Sequence, residues 1–159
     1  MQTSKEGIAR IEHREGVRLQ MYYDSAGLPT IGVGHLLTKD ELSSGKLFLS
    51  SGPAKWRDGI TKEQVDDLLT ADLHIAESVV DVCLAQRPDL PQCQFDCLVS
   101  FVFNIGGKAF RNSTLLKKLL ACDFAAIPDE LRKWKYAGGV VSPGLVKRRE
   151  DEVKQWLGY

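Results

Sequence analysis

Between Val65 and Cys83 the apolar side chains of Val65, Leu68, Leu69, Leu73, Ala76, Val79, Val80 and Cys83 recur every three or four residues, which keeps one face of a helix apolar for about five turns. Thr61 and Gln64, three residues apart, form a capping box that opens it. At about 1.5 Å per residue this helix is roughly 35 Å long, the width of a small domain. A chain of 159 residues that contains it has to be organised along it, with other elements packed on its stripe at both ends.

Arg87-Pro88-Asp89-Leu90-Pro91 breaks the pattern. Gln92 to Phe103 then resumes as an almost wholly apolar helix (Phe95, Cys97, Leu98, Val99, Phe101, Val102, Phe103), expected to be the buried centre of a helical half. Further helices are expected from Ser113 to Cys122, from Asp123 to Trp134, and from Ser142 or Pro143 to about Leu157, with Gly138-Gly139 between helices.

The N-terminal part obeys a different grammar. Ser4 caps a first helix carrying Ile8 and Ile11, and Gly16 stops it, which leaves Glu15 at its end. From Arg18 to His35 the period changes to two: Leu19, Met21 and Tyr23 alternate with their neighbours, as do Ile31, Val33 and His35, and Ser25 to Pro29 joins the two strands. Thr38 and Glu41 make a second capping box, predicting a short helix to about Leu49, and Ser50 to Gly59 reads as a surface loop anchored by Trp56. The fold class is α+β in a single domain over 1–159: a small β-containing lobe (15–60), a connecting helix (61–86), and a mostly helical lobe (1–14 and 87–159).

Charge and composition remove several classes of function. With 21 Lys plus Arg against 21 Asp plus Glu the chain has no net excess to neutralise phosphates, so no nucleic-acid partner is expected. The charge is unevenly spread, at −7 over Asp58 to Asp96 and +4 over Leu131 to Lys154, and the basic segment is expected to be a solvated helix face. No 18-residue apolar run and no leader-like start are present, so a soluble chain made in the cytoplasm without stable membrane association is expected. Cys83, Cys93, Cys97 and Cys122 allow three complete pairings, with buried thiols the expected state. His13, His35 and His74 are scattered, and there is no Gly-rich phosphate loop, so no metal or cofactor is expected.

Glu15, Asp24 and Thr30 stand within 16 residues, at a helix end, a strand end and the start of the return strand, so that three polar groups can converge on one rim. Glycosidic hydrolysis asks for two carboxyl groups in opposite states, one neutral to protonate the leaving oxygen and one ionised to position water. Spacing alone is weak support among 21 acidic residues.

The context is more specific. Glu15-Gly16, Tyr23-Asp24 and Gly27-Leu28-Pro29-Thr30-Ile31-Gly32-Val33-Gly34-His35 resemble the bacteriophage lysozyme (endolysin) family of muramidases, in which a Glu is followed after eight residues by an Asp, after five more by a Thr, and then by a Gly-x-Gly-His run. The resemblance extends through Gln94-Phe95-Asp96, Ser100 to Gly106, Ser113 to Leu116 and Gly144 to Glu150, nearly the whole chain in order. It implies a lysozyme-like two-lobe fold that cleaves the β-1,4 bond between N-acetylmuramic acid and N-acetylglucosamine in peptidoglycan. Carried over, Glu15 is the general acid, Asp24 holds and activates water, Thr30 helps to place it, and the reaction inverts. It further implies a monomer made in the cytoplasm of an infected host, released through a holin lesion to lyse the cell.

Other residues carry two readings each. His35 is expected to be a structural histidine paired to a carboxylate. Leu36 matches a substrate-lining position of the family and equally fits the core. Phe103 reads as core, whereas Asn104, polar at an apolar helix end, fits a sugar acetamido group. One of Arg148 and Arg149 resembles the family arginine that pairs with the catalytic Glu, against a surface arginine for each. Rival activities are a non-cutting glycan-binding descendant and a lytic transglycosylase, the latter disfavoured by the matched Asp and Thr.

Overall fold

The computed structural model describes residues 1–85 and 90–159. They form two compact units, one made of Met1–Gly7 with Ile75–Tyr159 and the other of Ile8–His74. The chain passes from one to the other within α1 (Lys5–Glu15) and again within α3 (Lys62–Leu84). The helical end expected at residue 86 and the Arg87-Pro88-Asp89 break lie outside the described residues.

The unit Ile8–His74 carries three antiparallel strands, β1 (Arg18–Tyr23), β2 (Pro29–Gly32) and β3 (His35–Leu36), in the order β1-β2-β3. The alternation from Ile31 to His35 predicts one return strand, but two glycines fold it in half. Gly32 (φ 67) and Gly34 (φ 70) take the left-handed conformation that only glycine adopts cheaply, and the chain turns back so that Thr30 faces Leu36. The capping box of α2 (Lys39–Ser44) forms with both reciprocal bonds. The helix does not run on to Leu49, however, because Gly45 (φ 69) ends it in a left-handed cap.

Residues 46–55, expected as helix end and loop, are instead a hairpin of β4 (Lys46–Leu49) and β5 (Gly52–Lys55). Its alternation of buried Leu47 and Leu49 with exposed Lys46 and Phe48 is a strand pattern too short to distinguish from a helical one. Trp56 anchors this region as expected: it is buried, and its Nε1–H donates to the Glu41 carbonyl at 2.9 Å.

In α3 the Thr61–Gln64 box is present, with Thr61 N–H on Gln64 Oε1 at 2.9 Å and Gln64 N–H on Thr61 Oγ1 at 3.2 Å. Its stripe is buried from Val65 to Val80, with Cys83 half-buried at the end.

The other unit is helical around α4 (Gln92–Ile105), whose Phe95, Leu98 and Phe101 are fully buried. Around it stand α5 (Gly107–Arg111), α6 (Thr114–Leu120), α7 (Ile127–Arg132) and α8 (Pro143–Trp156). The helix read from Asp123 to Trp134 is two pieces, a 3-10 turn over Phe124–Ala126 and then α7, with Pro128 in the first turn of the second piece. Sequence reasoning missed α5 and the hairpin of β6 (Tyr136–Ala137) and β7 (Val140–Val141), where Gly138 and Gly139 both have positive φ, as a tight two-residue turn requires. The N-terminus belongs to this unit. Ser4 N–H and Oγ–H both donate to the buried Asp96 carboxylate, and Thr3 N–H donates to Glu77 Oε1 at 2.6 Å. All four cysteines are unbridged thiols, as expected, with Cys97 buried, Cys83 and Cys93 half-buried and Cys122 exposed, so the burial expected of them holds for Cys97 alone.

Candidate active site

Glu15 is the last residue of α1, since Gly16 (φ 74) turns the chain left-handed and donates its N–H to the Glu12 carbonyl at 2.8 Å. The half-buried Glu15 side chain lies against the turn between β2 and β3. A Cβ on Gly34 would stand 3.0 Å from Glu15 Oε2 and 3.2 Å from its carboxyl carbon. Glycine at 34 is thus required twice, by its φ and by the carboxyl group resting on it. Gly34→Ala should cost about 1–2 kcal/mol in backbone strain and displace the carboxyl group, cutting the cleavage rate at least about tenfold for a stable, folded chain. Steady-state rates beside a thermal melt check this, and a parent-like rate would mean that the position of the carboxyl group is not critical.

Asp24 closes the β1–β2 hairpin. Its Oδ1 accepts from the N–H groups of Ala26 and Leu28, each at 2.9 Å, while its own N–H donates to the Leu28 carbonyl at 3.0 Å. An aspartate side chain that folds back on the turn after it is a common way to fix such a loop. One carboxylate oxygen is thereby committed to the backbone. Thr30, 2% exposed, donates its hydroxyl to the Leu28 carbonyl at 2.9 Å. Directly paired residues in antiparallel strands share a face, so the pairs Tyr22↔Thr30 and Thr30↔Leu36 put Tyr22, Thr30 and the half-exposed Leu36 in one row across the sheet. Asp24 lies two residues beyond Tyr22, in the turn just past the end of β1.

His35 sits on the opposite face, beside Ile31. Its Nδ1 meets Asp72 Oδ2 at 2.8 Å and its Nε2 meets Glu41 Oε2 at 3.2 Å, in surroundings only 12 to 20% exposed. Burial pulls its pKa down, but the hydrogen bonds and charges of Asp72 and Glu41 outweigh burial and leave it above the usual histidine value. This is the structural, carboxylate-paired histidine that the sequence suggests. Glu41 is affected in the reverse sense: burial raises its pKa, but the Thr38 N–H and His35 hold it below the usual value.

Two opposite pH dependences follow. The charged His35 contributes stability fully below its unfolded pKa of about 6.5, and this is lost as pH rises through the raised folded value. Glu41 contributes above its unfolded value and loses the contribution as pH falls through the lowered one. His35→Asn should therefore cost on the order of 2 kcal/mol at pH 6 and much less at pH 9. Urea unfolding at the two pH values measures this, and an equal loss at both would rule out the charged pair.

The remaining expected residues lie in the helical unit. Phe103 is half-buried and Asn104 exposed at the end of α4. Asn104 Oδ1 accepts from Arg149 Nη2, which leaves its amide N–H groups as its available donors. Arg148 and Arg149 correct the expectation of a solvated basic face, because they are 9% and 1% exposed. Arg149 Nη1 meets Glu152 Oε2 at 2.8 Å and its guanidinium stacks 4.9 Å from the Phe101 ring centroid, while Arg148 Nε donates to Glu152 Oε1 at 3.3 Å. Ser100 Oγ–H donates to the same Oε1 at 2.9 Å, so the fully buried Glu152 carboxylate organises both arginines.

Among the described residues no three His, Cys, Asp or Glu side chains gather as a metal site needs. Sequence reasoning missed Tyr22 and Glu152. Tyr22 looks like any strand residue, and Glu152 looks like half of a surface pair three and four residues from its arginines.

Known proteins match this chain over almost its full length. The family model described as phage lysozyme matches residues 12–152. An endolysin of Salmonella phage P22 is 39% identical over 153 residues, covering 96% of this chain and 97% of that protein. Among solved structures, an endolysin from the Escherichia coli phage FAHEc1 superposes with a TM-score of 0.81 at 32% identity, covering 99% of this chain and 94% of that one. The muramidase domain of SpmX from Asticaccaulis excentricus superposes with a TM-score of 0.78 at 28% identity, covering 99% of both. A match of this extent, in chains that keep the same fold throughout, means that the protein belongs to the phage lysozyme family.

Proposed function

We propose that Glu15 is the general acid, that Asp24 holds and deprotonates the attacking water, and that Thr30 helps to place that water. The chain is a peptidoglycan-hydrolysing glycoside hydrolase of the endolysin type. The bond cut is the β-1,4 linkage between N-acetylmuramic acid and N-acetylglucosamine. Glu15 gives its proton to the glycosidic oxygen as the C–O bond breaks, and water adds to the anomeric carbon while Asp24 takes its proton. The outcome is inversion, for which the two carboxyl groups stand about 6.5–9.5 Å apart to admit the water.

One observation carries this reading. Asp24 closes the hairpin whose return strand carries Thr30, and the turn after that strand supports the Glu15 carboxyl group. Asp24 Oδ1 is fixed by two backbone N–H groups, which holds the carboxylate still and leaves Oδ2 to serve a water. Leu36 contacts the glycan, and His35 braces the sheet.

The wider role is lysis of the host at the end of a phage cycle. The chain acts as a monomer, made in the host cytoplasm and reaching the wall through a holin lesion. No helix among the described residues is long and apolar enough to cross a membrane.

Mass spectrometry of fragments released from purified peptidoglycan in heavy-oxygen water tests the reaction. Muramic acid reducing ends carrying one heavy oxygen are the expected product. Anhydro ends would make the enzyme a lytic transglycosylase, and no fragments from folded protein would make the chain a glycan-binding descendant.

A further inference from the structure

Tyr22 stands among the three residues assigned to the reaction and is used by none of them. It pairs directly with Thr30, and the register of β1 against β2 shifts between Arg18 and Tyr22. Such irregularities re-aim side chains near functional sites. Arg18 holds the ring, with its guanidinium carbon 5.5 Å from the ring centroid. The phenol is half-buried, and among the described residues its hydroxyl has no hydrogen-bond partner. A half-buried hydroxyl without a protein partner is available to water or to a sugar.

The charges around it define its state. Burial raises its pKa, the charge of Glu15 raises it further, Arg18 lowers it and Asp24 raises it, with a net rise. Tyr22 is therefore a neutral hydroxyl at neutral pH, able to donate one hydrogen bond and accept another. The same influences place the phenol within electrostatic reach of both carboxyl groups.

Resting on the assignment of Glu15, Asp24 and Thr30 above, we propose that Tyr22 is a fourth member of the hydrolytic site, a positioning residue whose hydroxyl holds the attacking water from the side opposite Thr30 in the sheet row. Asp24 accepts the proton of that water, Thr30 fixes its height above the strand, and the Tyr22 hydroxyl limits its lateral freedom. The bonds that form and break are those of the hydrolysis already described, since Tyr22 gains and loses no proton over the cycle.

Tyr22→Phe removes the hydroxyl and nothing else. Because that hydroxyl has no partner among the described residues to leave unsatisfied, the variant keeps the parent's melting temperature. On soluble peptidoglycan oligomers its kcat should fall about tenfold, the size of one hydrogen bond in a polarised site, with KM changed less than about twofold. The acidic limb of its pH–rate profile should move to higher pH, because a donor lost near an ionised carboxylate favours the protonated form. A residue that only packs against Arg18 and the sheet would move neither the profile nor kcat when its ring is kept.

Glu15→Gln in the same assay separates two failures. If Glu15→Gln is inactive while Tyr22→Phe matches the parent in kcat and pH profile, the proposal for Tyr22 is overturned and the site stands. If Glu15→Gln still cleaves, the site assignment falls and Tyr22 falls with it.

Discussion

Glu15→Gln should fold and melt like the parent and release no measurable fragments from purified peptidoglycan. The amide is nearly isosteric with the carboxyl group, so it keeps the packing against Gly34 that positions residue 15. It removes the proton that the leaving sugar oxygen needs. General acid catalysis contributes about 10²–10⁴ in rate, and a sugar oxygen leaves poorly as an alkoxide, so a loss of at least about a thousandfold is expected. Fragment release is compared with a circular-dichroism melt of the same preparation. Appreciable cleavage at matched stability would remove Glu15 from the acid role.

The largest effect on stability should come from Glu152→Ala. The fully buried Glu152 carboxylate balances two buried guanidinium groups, Arg149 at 2.8 Å and Arg148 at 3.3 Å, and accepts the Ser100 hydroxyl. Removing it leaves two cations in an apolar interior beside Phe101, and breaking a buried pair from one side costs about 3–5 kcal/mol. For a chain of this size that corresponds to a fall in Tm of about 10–15 °C. Glu152→Gln keeps the shape and one acceptor and should lie between the parent and Glu152→Ala. Urea midpoints of the three chains decide the matter, and a cost below about 1 kcal/mol for Glu152→Ala would mean that water or other groups already satisfy the arginines.

What the sequence made legible follows from the range of each interaction. Both capping boxes, Thr38–Glu41 and Thr61–Gln64, are contacts over three residues and form as read. So does the long stripe of α3, whose period repeats often enough to exclude a strand. The segment Lys46–Lys55 reads as helix end and loop because four-residue strands carry no decisive period, and because a glycine such as Gly45 is by itself a weak sign of a left-handed cap. Two-residue strands such as those flanking Gly138-Gly139 are fixed by the turn rather than by any pattern within them.

The candidate site divides along the same line. Glu15, Asp24 and Thr30 lie on one contiguous segment, so the family resemblance over that segment singles them out together. Tyr22 depends on cross-strand register, which no spacing reveals. Arg148 and Arg149 look like surface cations because Glu152, at helical spacing, would serve equally well as an exposed partner. Their burial is a property of how α4 and α8 pack.

The division of the chain bears on the order in which it is synthesised and folds. The unit Ile8–His74 is continuous in sequence, so all of it has been made before the first residue of the second large segment, Ile75, is added. The helical unit is discontinuous: its first seven residues wait for partners that come much later, Glu77 for Thr3 and Asp96 for Ser4, at separations of 74 and 92 residues. Closing loops of that length is an entropic cost met only after the intervening chain has been made. The segment Met1–Gly7 thus waits for Glu77 and Asp96 rather than locking as it is made. A substitution at Thr3 or Ser4 therefore acts on the helical unit, leaving the unit that carries Glu15, Asp24 and Thr30 to form from its own sequence.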